Sequence, residues 1–188
     1  GVTINVVETD DIMNAAEAGV DQTISEEVTG ATAGDTVTVT LGGATYTATV
    51  QANLSWSVDV PAAALQALGN GELTISASVT NSVGNTGNGT REITIDANLP
   101  GLRIDTVAGD DVVNIIEHGQ ALVITGSSSD LAAGSNVTLT INGQTYVAAV
   151  LADGTWSVGV PAADVTALGS GPQTITATNT DIAGNSDE

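Results

Sequence analysis

The sequence predicts an all-β chain built of two tandem β-sandwiches, and three observations carry that prediction. A shift of 100 residues aligns the chain on itself without a gap: of the 85 pairs from Ile4/Ile104 to Asn88/Glu188, 36 are identical. Short runs alternate apolar and polar residues with a period of two, most clearly Thr36-Val-Thr-Val-Thr-Leu41 and Asn136-Val-Thr-Leu-Thr-Ile141. Gly, Asn and Asp punctuate these runs at the spacing of a sandwich with about seven short strands per domain. Each copy is therefore expected to be immunoglobulin-like, with the first spanning 1–98 and the second 99–188.

The elements follow in order along each copy. A first strand ends at an acidic segment, and the alternating runs Thr36–Leu41 and Thr74–Val79 supply later strands. Asn142-Gly143 reads as a tight hairpin turn. Asp153-Gly154 reads as a second hairpin, joining Tyr146–Val150 to Trp156–Val158. Asn53-Leu54 in the first copy weakens that signal. One helix is expected at Pro61–Leu68, with Pro at its start and Gly69 behind it, and its twin at Pro161–Leu168. The first copy closes with the strand Arg91-Glu-Ile-Thr-Ile-Asp96. The second copy stops at the counterpart of Asn88 and is expected to lack that last strand, leaving an open edge that invites pairing.

Composition bounds the partners. Against 22 acidic residues stand two cations, Arg91 and Arg103, with no Lys, for a formal charge of −20. Nucleic acid and anionic membrane surfaces are excluded, since both need clustered Lys and Arg. No apolar run reaches the roughly 18 residues of a membrane span, and the first residues do not form a signal peptide. The absence of Cys excludes disulfides and thiolate metal sites. His118 is the only imidazole, twinned with Ala18, and reads as a surface residue. With no nucleophile and base pair arguable from spacing, no enzyme is expected.

The acids cluster. Asp10-Asp11-x-x-Asn14-x-x-Glu17 repeats as Asp110-Asp111-x-x-Asn114-x-x-Glu117, and belongs in the loop at the C-terminal pole of each sandwich. A second group is the connector, with Asp96 and Asn98, and with Asp105 at the far end of the next strand. A third is Asp181-Ile-Ala-Gly-Asn185, expected at the N-terminal pole of the second copy beside the incoming connector. These groups are expected to meet at the junction between copies. Carboxylate and amide oxygens converging there suit Ca²⁺, which takes six to eight hard oxygen ligands. Without a cation the like charges repel, and a single Arg103 nearby does not neutralise them. The opposing reading is an acidic surface that merely aids solubility. Asn81 stands where the second copy has Asp181, so the first copy's upper pole is expected to bind metal weakly or not at all.

Trp56 and Trp156 alternate with Val58 and Val158 on one strand face, which predicts core placement. The other reading is a pair of exposed platforms in a glycan- or protein-binding module that acts through its loops. Thr36, Thr38 and Thr40 read as an ordinary exposed strand face, too short for a flat ice-binding array.

Several stretches together resemble the tandem bacterial immunoglobulin-like repeats of giant RTX and biofilm-associated adhesins. They are the Asp-Asp-x-x-Asn-x-x-Glu-x-Gly segment, Tyr146 to Val158, Val160-Pro-Ala-Ala-Asp164 and Thr180-Asp-Ile-Ala-Gly-Asn185. The resemblance implies a stalk, or extender, fragment on the bacterial cell surface, extracellular and monomeric, whose partners are neighbouring repeats of the same chain. It further implies Ca²⁺ at the junction, with ligand roles for Asp10, Asp11, Glu17, Asp96 and Asp181. Asp110, Asp111 and Glu117 would complete a site only beside a following repeat.

Overall fold

The computed structural model describes residues 1–187, which divide into two compact units, Gly1–Asn98 and the described residues from Leu99 onward. Unit 1 contains β1 (Ile12–Met13), β2 (Gln22–Glu27), β3 (Thr36–Leu41), β4 (Ala44–Thr49), β5 (Ser55–Val60), α1 (Ala62–Leu68), β6 (Gly71–Thr80) and β7 (Thr86–Ile95). Unit 2 contains β8 (Gly101–Ile104), β9 (Leu122–Ser129), β10 (Asn136–Ile141), β11 (Gln144–Ala149), β12 (Thr155–Val160), α2 (Ala162–Thr166), β13 (Ile175–Thr180) and β14 (Ser186–Asp187).

Each unit stacks two sheets. In unit 1 the larger sheet runs β1-β7-β6-β3-β4 and the smaller is β2-β5; in unit 2 they run β11-β10-β13-β14 and β12-β9-β8. The alternation in the sequence puts one face of every strand inside. Val37, Val39 and Leu41 of β3 meet Trp56, Val58 and Val60 of β5 in one buried cluster, and Val137, Leu139, Trp156, Val158 and Val160 repeat it. Both Trp side chains are 1% exposed, so neither offers a ring to a sugar. Such a stacked, alternating core is the immunoglobulin-like sandwich the repeat predicted.

The short helix is present in both copies. Pro61 and Pro161 precede it, and Leu65 or Val165 plugs it into the core. Asn142-Gly143 forms its hairpin, with Asn142 at φ 49° and Gly143 at φ 74° between paired β10 and β11. Asp153-Gly154 does not. The turn closes locally, with the Gly154 amide on the Leu151 carbonyl, but β11 pairs with β10 while β12 pairs with β9. The chain therefore arches from one sheet to the other. Asn53-Leu54 makes the same arch, with Leu54 forced to φ 67°.

The closing strand also starts earlier than its sequence suggests. β7 begins at Thr86 and pairs along ten residues of β6, while its β1 flank, Ile12 and Met13, runs parallel to Thr94 and Ile95. In unit 2, β14 holds the first two positions of that strand, Ser186 and Asp187, against Thr180 and Asn179.

Candidate functional site

Both acidic segments fold by satisfying their own backbone. In unit 1 the Val7 amide donates to Asp11 Oδ1 at 3.0 Å, and the Ile12 amide to Asp10 Oδ1 at 3.0 Å. Asn14 Oδ1 accepts from the Ala16 and Glu17 amides, and Glu17 Oε2 returns to accept the Asn14 amide at 2.9 Å. That reciprocal pair is a capping-box arrangement, and it is why the Asn-x-x-Glu spacing matters locally. Unit 2 repeats each of these bonds with Asp110, Asp111, Asn114 and Glu117. Asp11 and Asp111 both sit at positive φ, 66° and 62°, a conformation Asp tolerates better than most residues.

One difference separates the copies. Arg91 Nε donates to Asp11 Oδ1 at 2.6 Å and Nη2 to Oδ2 at 2.5 Å, while Nη1 donates to the Ile4 carbonyl at 3.0 Å. The guanidinium beside it holds the Asp11 carboxyl below the usual carboxylate range; partial burial opposes this and the Val7 amide assists it. Arg91 is pushed up in turn by the same pair. This is the only ion pair among the described residues, and the sequence reading missed it. Eighty positions separate the partners, and the only cue was that Arg91 is one of two cations in the chain.

The other expected ligands divide between the units. Asp96 is brought beside the acidic segment of unit 1, since its amide donates to the Met13 carbonyl at 2.9 Å and that of Thr94 to the Asp11 carbonyl at 2.8 Å. Asn70 Nδ2 reaches Asp96 Oδ1, and the Asn98 amide donates to the same oxygen. In unit 2, Asp105 Oδ2 accepts from Thr125 Oγ1 at 2.9 Å. Asp181 organises its own loop: Oδ1 accepts the Ala183 and Asn185 amides, and Oδ2 accepts Asn185 Nδ2 at 3.0 Å. Asn185 is buried there. Among the described residues no three His, Cys, Asp or Glu side chains group tightly enough to hold a metal. His118 is half-buried rather than on the open surface, with Nε2 3.1 Å from the Leu168 carbonyl.

No family model and no curated protein matches the chain. Solved structures do. A Ca²⁺-stabilized adhesin with which an Antarctic bacterium reaches out and binds ice is 35% identical over 98% of this chain and 46% of its own, at a TM-score of 0.57. A structure from a 1.5-MDa bacterial ice-binding adhesin is 35% identical over 98% of this chain and 60% of its own, at 0.55. A bacterial immunoglobulin-like domain from the M. primoryensis ice-binding adhesin is 37% identical, over 50% of this chain and 94% of its own, at 0.39. The chain belongs to the bacterial immunoglobulin-like repeats of large adhesins. The chain spans less than two thirds of the first two structures it matches. No helix of the adhesin repeat pair is long and apolar enough to cross a membrane among the described residues.

Proposed function

We propose that the chain is an extender segment of a secreted bacterial adhesin, a spacer that projects a ligand-binding end from the cell surface for adhesion and biofilm formation. Ca²⁺ held at the junction of successive repeats stiffens it. The observation that carries this reading is the placement of Asp96 against the Asp10–Glu17 segment, immediately before the boundary between the units. The description of one relative as a Ca²⁺-stabilized adhesin supports the choice of ion.

By chemistry alone the all-oxygen donors suit a hard cation, although among the described residues no three of the carboxylates group closely enough to hold one within a unit. Asp10, Glu17 and Asp105 each commit one carboxylate oxygen to a neighbouring donor, and among the described residues the other accepts no hydrogen bond. Asp96 and Asn98 add carboxylate and amide oxygens, whereas Asp181, both of whose oxygens accept from its own loop, and the buried Asn185 would join only by exchanging those bonds. Asp11 fits poorly, because Arg91 takes both of its oxygens; its role is to fix the segment that presents Asp10 and Glu17. Asp110, Asp111 and Glu117 would serve a further junction. When bound, the ion offsets repulsion among these acids and stabilises the ordered junction by RT ln(1 + [L]/Kd).

Calorimetry and small-angle scattering in Ca²⁺, in Mg²⁺ of equal ionic strength and in EDTA test the proposal. Ca²⁺ is expected to raise Tm and narrow the distribution of interdomain bending, with Mg²⁺ well behind, since general screening affects both ions equally. Equal behaviour in all three solutions overturns it. The glycan-binding alternative loses its aromatic platform, since Trp56 and Trp156 are buried.

A further inference from the structure

We infer that Asn53 is the acceptor of an N-linked sugar, delivered from a glycosyl diphosphate by an asparagine-directed transferase. The acceptor triplet of that reaction is Asn-x-Ser/Thr with a middle residue other than Pro. It occurs three times in the chain, as Asn53-Leu-Ser55, Asn88-Gly-Thr90 and Asn136-Val-Thr138. The triplet alone does not choose among them; the fold does.

Two of the triplets lie inside strands. Asn88 and Thr90 stand opposite Ser78 and Ser76 of β6, and Asn136 and Thr138 stand opposite Ala149 and Val147 of β11. Residues two apart on a strand point to the same face but sit about 7 Å from each other, so neither threonine hydroxyl reaches its asparagine amide. The backbone around Asn88 is also crowded: a Cβ on Gly89 would stand 2.0 Å from the Val2 carbonyl oxygen. A transferase cannot bend either segment around its acceptor without breaking the ladder.

Asn53 stands instead at the tip of the arch between β4 and β5. The Leu54 amide donates to the Gln51 carbonyl at 3.0 Å and the Gln51 amide to the Ser55 carbonyl at 2.8 Å, so the chain doubles back and leaves Asn53 exposed. Within this bend Ser55 Oγ donates to Asn53 Oδ1 at 2.7 Å, and the Ser55 amide donates to the same oxygen at 3.2 Å. Both contacts hold the carboxamide by its oxygen, while Nδ2, the atom that takes the sugar, makes no hydrogen bond among the described residues. In the transfer a bond forms between Nδ2 and the anomeric carbon as the bond from that carbon to the diphosphate oxygen breaks. The diphosphate leaves with the electron pair, and Nδ2 gives one proton to a base of the transferase. Unit 2 carries the control: Asp153-Gly-Thr155 repeats both contacts, at 3.1 and 2.7 Å, with a carboxylate that offers no nitrogen.

The test incubates the folded chain with uridine diphosphate glucose and a soluble asparagine glycosyltransferase, and in a second arm with a lipid-diphosphate-linked sugar and a membrane-bound transferase. Peptide mass spectrometry then reads each asparagine. Asn53 is expected to gain a sugar in at least one arm, and the arm identifies the donor. Asn88 and Asn136 are expected to be modified at least about tenfold less. S55A should lower transfer to Asn53 at least about tenfold while S55T retains it, and D153N should turn the twin arch into a second acceptor. Asn53 unmodified in both arms overturns the inference. So does equal modification of Asn88 or Asn136, since the arch then selects nothing, and so does a D153N chain that stays unmodified in unit 2.

Discussion

Arg91 closes on Asp11 across 80 residues of chain, and through that contact the acidic segment of unit 1 is locked to the closing strand. Both side chains are largely covered, 26% and 23% exposed, and the pair is bidentate, so it ranks above a free surface ion pair. Arg91→Ala is expected to destabilise unit 1 by about 1 kcal/mol, a Tm drop of roughly 4–8 °C for a domain of this size. Arg91→Lys should recover only part of it, because the fork is lost. Differential scanning calorimetry of the three chains reads the order directly.

The same pair gives a pH signature. The Asp11 carboxyl is held below its ordinary value of 3.8, so the folded state favours the ionised form. Its contribution is present above that value and is lost as pH falls through the lowered folded value. The Tm gap between the native chain and Asp11→Asn is therefore expected to be flat from neutral pH down to about 5 and to close below about 4. A gap that persists unchanged at acid pH contradicts the assignment.

The two copies also differ at a tyrosine. Tyr146 Oη donates to Asp164 Oδ2 at 2.8 Å, and burial, reinforced by that carboxylate, pushes the phenol above its ordinary value. The twin of Asp164 is Ala64, so Tyr46 has no carboxylate at that position. Tyr146→Phe is expected to cost unit 2 about 1 kcal/mol, and Tyr46→Phe less than about 0.5 kcal/mol in unit 1. Urea denaturation followed by the fluorescence of Trp156 or Trp56 separates the two.

Gly126 marks where the first strand of unit 2 presses down hardest. A Cβ there would meet the Arg103 carbonyl oxygen at 2.1 Å and the Trp156 ring at 2.2 Å, neither of which yields easily. β8 forms a regular ladder over this point, with Ile104 opposite Gly126, whereas the start of unit 1 is held by more irregular pairing, Val2 bridging Val28 and the Asn5 amide donating to the Ser25 carbonyl, and carries Glu26 at the matching position. Gly126→Ala should destabilise unit 2 by about 1–3 kcal/mol, while Glu26→Ala stays within about 0.5 kcal/mol. Equal thermal shifts in the two variants would contradict this packing.

What the sequence disclosed followed from local rules. Alternation placed Trp56 and Trp156 in the core, and Pro61 with Gly69 bounded the helix, because both signals act within a few residues. Asp153-Gly154 misled for the same reason. The dipeptide encodes the turn but not whether its flanks pair with each other, which here depends on Trp156 registering opposite Gly126 in the other sheet. The acidic segments were visible as clusters, yet the Asn-x-x-Glu spacing carries a capping box before it carries any ligand. Arg91 was invisible as a partner, since only the folded sheet brings it over the Asp11 carboxylate.

That division of labour within the acidic segment predicts which acids respond to calcium. Asp10 and Asp96 are proposed to face the ion, whereas Asp11 is held by Arg91 and acts on the fold. Asp10→Asn combined with Asp96→Asn is expected to remove most of the Ca²⁺-dependent rise in Tm while changing the EDTA baseline little or raising it, because two like charges are removed. Asp11→Asn should do the reverse, lowering the baseline by several degrees and leaving most of the Ca²⁺ increment. Calorimetry of these variants, each with and without Ca²⁺, distinguishes the roles: if Asp11→Asn abolishes the increment and the double variant keeps it, the assignment of ligand and anchor is inverted.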